Sequence, residues 1–350
     1  MISKLKEAAA ASFVRKVFKP LGRDWVSDVH TLSMDPTGDL LIGVSRAHDV
    51  FIASLASSKN VEPVGATPDS LTAAAGTPAF HVSDLAFSTG TDGSVLVRVN
   101  EELQLWLWNK GKLTLAHRAK WNIGKKGGLS FAYFDGAPRC TPTQVASLVR
   151  ISKPPKGDAS VEWKDRVIAV WERAKLPKAT KLDGNARETK PALQLPLEKE
   201  YGDVSFELSA SGEVTLAEST GYQETAVTRF DAKGKQLART KLEFGVTDLA
   251  LLGPSIVVSG SEGELALLDE KLKVVKRVKA FPRRAVSVRA TVDGTAVVAT
   301  CEKEIAAFTA DGLKKVAKLA VKGLHDFRAH AVSSSGAVLT NNPPGLFQLS

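Results

Sequence analysis

The sequence predicts an all-β chain folded into one ring of repeated four-stranded units. Three observations predict it. Glycines 212, 253, 294 and 336 stand 41, 41 and 42 residues apart. Each ends a short apolar run and opens a second one rich in Val and Ile. Val286-Ser-Val-Arg-Ala-Thr-Val-Asp-Gly294 followed by Thr295-Ala-Val-Val-Ala299 is one example. A third and a fourth run follow in each unit, joined by turns such as Asp231-Ala-Lys-Gly-Lys235. Alternating apolar runs broken by Gly read as strands, with Gly where the turn needs positive φ. Four strands in about 41 residues is the length of one propeller blade. One such sheet cannot bury both faces, so blades must stack around an axis.

Taken in order, residues 1–20 suggest a short helix and then a strand from Phe13 to Phe18. That strand has work to do, because the last unit, from Asp326, runs out after three strands. An N-terminal strand supplies the fourth and removes the open edges. A basic amphipathic helix lying on a membrane is the other reading of Ile2, Leu5, Ala9, Phe13 and Val17. Glu7 and Lys6 break the apolar core that a signal peptide needs.

Blade 1 runs from Val29 through Val44 to Leu55, and residues 56–80 read as a weak outer strand and a loop. In blade 2, Asp84 to Ser88 and Val95 to Val99 precede Leu103 to Trp108, with Leu113 to Ala119 as the fourth strand. Blade 3 is irregular. Residues 152–166, with Pro154 and Pro155, and residues 174–200, rich in Lys and Pro, read as insertion loops. Long insertions in a repeat fold map to loops, which commonly carry binding. Blades 4 to 7 are the four regular units. The count is seven, with six or eight as alternatives while blade 3 stays irregular.

The units resemble repeats of the WD40-like β-propeller superfamily. No Gly-His pair opens them and no Trp-Asp pair closes the third strand, where Trp108, Phe230, Leu268 and Phe308 stand. The resemblance implies the fold, and a ring that presents loops to other proteins. Some propeller hydrolases of this kind hold a metal in the channel.

Composition bounds the rest. The chain has 350 residues, and seven blades of about 50 account for all of it as one domain. No apolar run reaches the length of a membrane span. Cys140 and Cys301 fall in different blades, which favours free thiols in a reducing, cytoplasmic setting over a disulfide. The net charge of +9 admits an anionic partner.

No stretch carries the signature of one activity, and each candidate has a structural reading beside the functional one. Asp28, Asp84, Asp203, Asp248 and Asp326 sit at the entry to a first strand, which lines the channel. Converging, they would suit a hard cation such as calcium and a metal-dependent hydrolase or lyase. The structural reading is that each accepts backbone N–H bonds in its own loop. His30, His81, His325 and His330 cluster near the same entry, without a nucleophile elbow, a metalloprotease helix or a Cys-X-X-Cys pair beside them. Gly124-Lys-Lys-Gly-Gly128 lacks P-loop spacing and reads as a basic loop. Lysines on fourth strands, such as Lys241, Lys276 and Lys318, read as edge protection rather than a nucleic-acid face. The insertions gather Lys153, Lys156, Lys164 and Lys178, a local patch for an anionic partner or nucleic acid. Trp121 and Trp163 are candidate anchors for a protein partner, with packing inside the blade as their structural reading. The function expected is a non-catalytic protein-interaction scaffold needing no cofactor. A channel metal enzyme and a polyanion binder are the alternatives.

Overall fold

The computed structural model describes residues 2, 4–17, 29–45, 50–60, 85–90, 92–99, 102–109, 112–121, 132–153, 162–181, 186–198, 202–219, 223–321, 327–341 and 345–350. Seven sheets, each a four-stranded antiparallel blade and one of them with a fifth strand added, form a β-propeller. A strand, β1 (Leu5–Glu7), and a helix, α1 (Ala11–Val17), precede blade 1: β2 (Val29–Met34), β3 (Leu40–Ser45), β4 (Val50–Ser54) and β5 (Lys59–Asn60). Blade 2 is β6 (Leu85–Thr89), β7 (Ser94–Val99), β8 (Glu102–Asn109) and β9 (Lys112–Trp121). Blade 3 holds β10 (Ala132–Cys140), β11 (Gln144–Lys153) and β12 (Glu162–Glu172); after β13 (Arg187–Thr189), its fourth strand is β14 (Leu193–Pro196).

Blade 4 is β15 (Asp203–Leu208), β16 (Val214–Ser219), β17 (Thr225–Phe230) and β18 (Gln236–Leu242). Blade 5 is β19 (Val246–Leu252), β20 (Ser255–Gly260), β21 (Glu264–Leu268) and β22 (Val274–Lys279). Blade 6 is β23 (Ser287–Ala290), β24 (Ala296–Cys301), β25 (Glu304–Thr309) and β26 (Lys315–Ala320). Blade 7 is β27 (Ala329–Val332), β28 (Ala337–Thr340) and β29 (Gly345–Leu349), completed by β1.

Strand alternation builds the ring. Successive side chains point to opposite faces, so each middle strand packs one set against the blade before and one against the blade after. On β24, Val297 and Ala299 join the blade 5 seam with Leu265 and Leu267. Val298, between them, joins the blade 7 seam with Phe327 and Val338. Among the described residues every seam between adjacent blades has such an apolar cluster. The middle strands β16, β20, β24 and β28 are buried almost throughout, whereas the outer strands β22 and β26 are largely exposed. Lys273, Lys276, Lys279 and Lys318 lie exposed on or beside those outer strands, as edge protection requires.

The N-terminal segment closes the ring, but the closing strand is not where the sequence pattern placed it. Leu5–Glu7 pairs with β29, in register Leu5 with Leu349, and Phe13 lies in α1. Residues 13–17 are helical because Ala11 and Val14, three residues apart, face one seam and pack on Leu41 and Leu339 between blades 7 and 1. The expected insertion loops are also more ordered than a loop. Lys153 and Glu162 still pair, so β11 and β12 continue into 152–166. Residues 174–200 supply β14 to blade 3, and β13 adds to blade 2 as a fifth strand, parallel to β9. The outer edge of blade 2 is therefore covered by the chain's own backbone, not guarded by charge. No helix among the described residues is long and apolar enough to cross a membrane.

The repeat glycines 212, 253, 294 and 336 have φ of +86°, +60°, +67° and +80°. Gly263 is more constrained. At φ +96°, a Cβ there would stand 2.2 Å from the Arg283 carbonyl oxygen and 2.4 Å from that of Phe281. Gly253 and Gly294 have nothing within 4 Å of theirs. Gly263→Ala is therefore expected to destabilise the chain by about 3 kcal/mol or more, from backbone clash plus left-handed strain. Gly253→Ala and Gly294→Ala should each cost only the strain, roughly 1 kcal/mol. Urea denaturation of the three variants checks this, and equal losses would contradict it.

Candidate functional site

The inner strands β2, β6, β10, β15, β19, β23 and β27 touch their neighbours around the axis. They enclose a channel cavity of about 360 Å³ lined by Ser33, Thr89, Arg139, Glu207, Arg289 and His330, among others. Its wall is a belt of polar bonds that passes from blade to blade. Arg139 Nε of β10 lies 2.9 Å from Glu207 Oε1 of β15. The same guanidinium lies over the Phe206 ring, 5.3 Å from its centre.

Asp248 of β19 is held from three blades. Its Oδ1 accepts from Ser205 Oγ of blade 4 at 3.2 Å and from its neighbour Leu249 N at 3.0 Å. Its Oδ2 accepts from Val288 N of blade 6 at 3.3 Å and from Arg289 Nη1. Arg289 Nε then donates to the His330 carbonyl of blade 7 at 3.1 Å. Across blades 1 and 2, Thr89 Oγ1 donates to the Met34 carbonyl and lies 3.2 Å from Ser33 Oγ. Between blades 2 and 3, Arg173 Nη1 donates to Asp92 Oδ2 at 2.7 Å and to Thr141 O at 2.8 Å.

Burial sets the electrostatics. It pushes the Glu207 carboxyl up, against the pull of Arg139 and Arg289. It pulls the Arg289 guanidinium down, but Asp248 and Glu207 outweigh it and hold that charge more firmly than usual. Burial, then Arg289 and Arg328, pulls His330 down to about 3, with Asp248 and Asn341 in partial opposition. The imidazole is therefore neutral at physiological pH, and its Nε2 has no hydrogen-bond partner among the described residues. A register shift between Ala329 and Ala331 marks a bulge at His330, a common device for re-aiming one side chain. Burial also pushes the Cys140 thiol up to about 11, which leaves it protonated and a poor nucleophile. Asp92 is also raised by burial, but Ser94 and Arg173 outweigh that and hold it below the usual carboxylate range.

Of the five carboxylates expected in a channel ring, Asp203 is exposed at the start of β15 and Asp248 is buried against Arg289. Asp28, Asp84 and Asp326 lie outside the described residues. Among the described residues no three His, Cys, Asp or Glu side chains gather as a metal site. His48, His81, His325 and Gly124 to Gly128 lie outside the described residues, as does the side chain of His30. His117 is on the far side of blade 2 from the channel, in β9, with Nδ1 2.9 Å from Leu176 O.

Trp121 is not presented to a partner. It is 5% exposed and meets Trp171 edge to face, ring centres 6.2 Å apart, in the seam of blades 2 and 3. Trp163 and Lys164 fall in β12 and Lys153 in β11; their side chains, and Lys156 as a whole, lie outside the described residues. Lys178 is exposed and bridges to His117 on the outside of blade 2.

The sequence reading missed Arg139, Glu207 and Arg289. For Glu207 and Arg289 the signal was the repeat phase: Ser33, Ser88, Glu207, Asp248, Arg289 and Ala331 each stand five residues before a repeat glycine, whereas Arg139 follows Gly136 and is off that phase. All six in phase except Asp248 line the cavity. No protein family matches the sequence, and no curated protein matches it either.

Two outcomes follow from this geometry. Asp248→Asn leaves Arg289 without its counter-charge and is expected to cost about 3 kcal/mol. Arg289→Met added to it should cost little more, because the stranded charge is gone; additive losses in urea denaturation would contradict the pairing. His330 titrates well below its ordinary value in the folded chain, so the unfolded chain takes up a proton that the folded one refuses. Its contribution is complete above about pH 6.5 and is lost as pH falls from there toward 3, by at most about 1.4 kcal/mol per unit. Relative to His330→Gln, the wild-type chain should lose stability between pH 6.5 and 4.5; parallel pH profiles would contradict it.

Proposed function

We propose that the propeller is a non-catalytic platform for another protein, engaged through the arm that blade 3 extends. The observation that carries this is the length of that arm. Strands β11 and β12 run 10 and 11 residues, against 6 and 6 for β16 and β17 in blade 4. With Val145 and Val214 both at the start of the second strand, the hairpin continues about three residues, or roughly 10 Å, past the usual end. β10 follows it out, pairing Ala132 with Ile151. The strands of this extended ladder carry Lys153, Trp163 and Lys164 in their sequence, so backbone order is combined with cationic and aromatic residue types, and a tryptophan is a common interface anchor.

The channel supports a non-catalytic reading. Its carboxylates are engaged by arginines, its imidazole is neutral and its thiol is protonated. We place the chain among the WD40-like propellers on its 41-residue repeat, and in a reducing compartment, where Cys140 and Cys301 stay free thiols. A second reading, a polyanion surface, draws on Lys178, Lys181, Arg187 and Lys190, all exposed where residues 174–200 cover blade 2.

The test is affinity capture with the full chain and with a variant whose residues 152–163 are replaced by a two-residue turn. The expected result is a protein retained by the first and lost by the second, at unchanged thermal midpoint. Equal capture by both would overturn the arm as the interface. Retention of RNA or heparin that disappears at high salt would favour the polyanion reading instead.

A further inference from the structure

We propose that the propeller channel is a binding site for a small monocarboxylate, gripped by Arg139 of blade 3 and Arg289 of blade 6. It is independent of the platform reading, which concerns the arm. Three features of the cavity point to this ligand.

First, both guanidiniums have donors left over. Arg139 uses Nε on Glu207 and Nη1 on the carbonyls of Ala137 and Pro138, both at 3.1 Å. Arg289 uses Nε on His330 O and Nη1 on Asp248 and Val288 O. Each keeps an Nη2 amino group that has no partner among the described residues. Solvent reaches both: their side chains are 18% and 23% exposed, and both line the cavity. Spare N–H groups on fixed guanidiniums suit an oxyanion with paired oxygens.

Second, His330 brings a buried Nε2 with no partner to the same cavity. A buried ring nitrogen left unbonded in a polar cavity is a cost that a ligand bond removes. Being neutral, the ring adds no charge; it adds one directional bond, to a hydroxyl or carbonyl beside the carboxylate.

Third, the charge and size fit one small anion. Arg139 and Arg289 are balanced by Glu207 and Asp248. One further negative charge is offset if Glu207 takes up a proton, which burial already favours. A dianion such as phosphate would set a second negative charge against Asp248, beyond the one that Glu207 can offset. The 360 Å³ volume is at the low end of ligand pockets and excludes a polymer.

The test is calorimetric titration of the full chain with acetate, glycolate, pyruvate and benzoate, with chloride at equal ionic strength and phosphate as controls. At least one carboxylate is expected to bind saturably at one per chain and to shift the His330 ring nitrogen resonances. Arg139→Lys keeps the charge facing Glu207 but removes the spare fork, and should weaken binding at least tenfold. Ser88→Leu fills the cavity from β6 without touching either ion pair, and should abolish it. Near-ultraviolet circular dichroism confirms that both variants are folded. The proposal is overturned if no probe saturates the folded wild-type chain, or if either variant binds with wild-type affinity. It is also overturned if binding leaves His330 unmoved, or if phosphate binds as tightly as the best carboxylate.

Discussion

One buried carboxylate fixes the geometry on which the channel depends. Asp248 has a side chain 6% exposed and takes bonds from Ser205, Leu249, Val288 and Arg289. Those donors belong to blades 4, 5 and 6, and Arg289 passes the connection to blade 7 through the His330 carbonyl. Apolar seams are non-directional and tolerate a small slide of one blade past another. Hydrogen bonds to a buried charge do not, because a lost bond leaves the charge unsatisfied. The inner strands of blades 4 to 7 are therefore locked in height along the axis, and their side chains facing the channel keep fixed relative positions.

The same logic recurs one step outward with neutral groups. Ser219 and Thr225 in blade 4 bond the Val246 amide that enters blade 5, at 3.1 and 2.8 Å. Thr247 in blade 5 bonds the Ala285 carbonyl at 2.6 Å. Ser287 and Thr300 in blade 6 bond Ala329 N and Phe327 O, at 2.8 and 2.9 Å. Each linker between blades would otherwise bury backbone groups with no strand partner. Hydroxyls near the ends of the first three strands satisfy them at each crossing from blade 4 to blade 7. These hydroxyls tie each blade to the next in this part of the ring.

The fold was legible in the sequence because a repeat of 41 residues has few physical solutions. Gly212, Gly253, Gly294 and Gly336 marked the one turn per blade that needs positive φ, and Val-rich runs marked the doubly buried strands. Irregular segments were less legible. Leu5–Glu7 is too short to show alternation, so its pairing with β29 is decided by the open edge waiting for it, a tertiary fact. Trp121 looked like a loop anchor because the strand before it ends there, yet Trp171 comes from 50 residues along the chain to bury it. The channel was half legible. Asp248 stood out as acidic, but nothing in the local sequence marks Arg139 or Arg289, whose partners Glu207 and Asp248 come from other blades.

That difference separates the two halves of the molecule in function. The outer surface is set largely by local rules: where a fourth strand is left as an edge, as in blades 5 and 6, lysine answers it, and blade 2 alone has a fifth strand from elsewhere in the chain added to its edge among the described residues. The channel wall is set by non-local pairing, with one side chain at one phase of the repeat in six of the blades. A ring that needed only to stand would fill that phase with small apolar residues, as Ala331 does in blade 7. Burying ion pairs there instead is at best neutral for stability compared with apolar packing. Ser33, Ser88, Glu207, Asp248 and Arg289 share that phase, and five polar residues at one position of six repeats exceed what closure requires. The surplus polarity is aimed at the one space that all blades share, which is what the carboxylate proposal rests on.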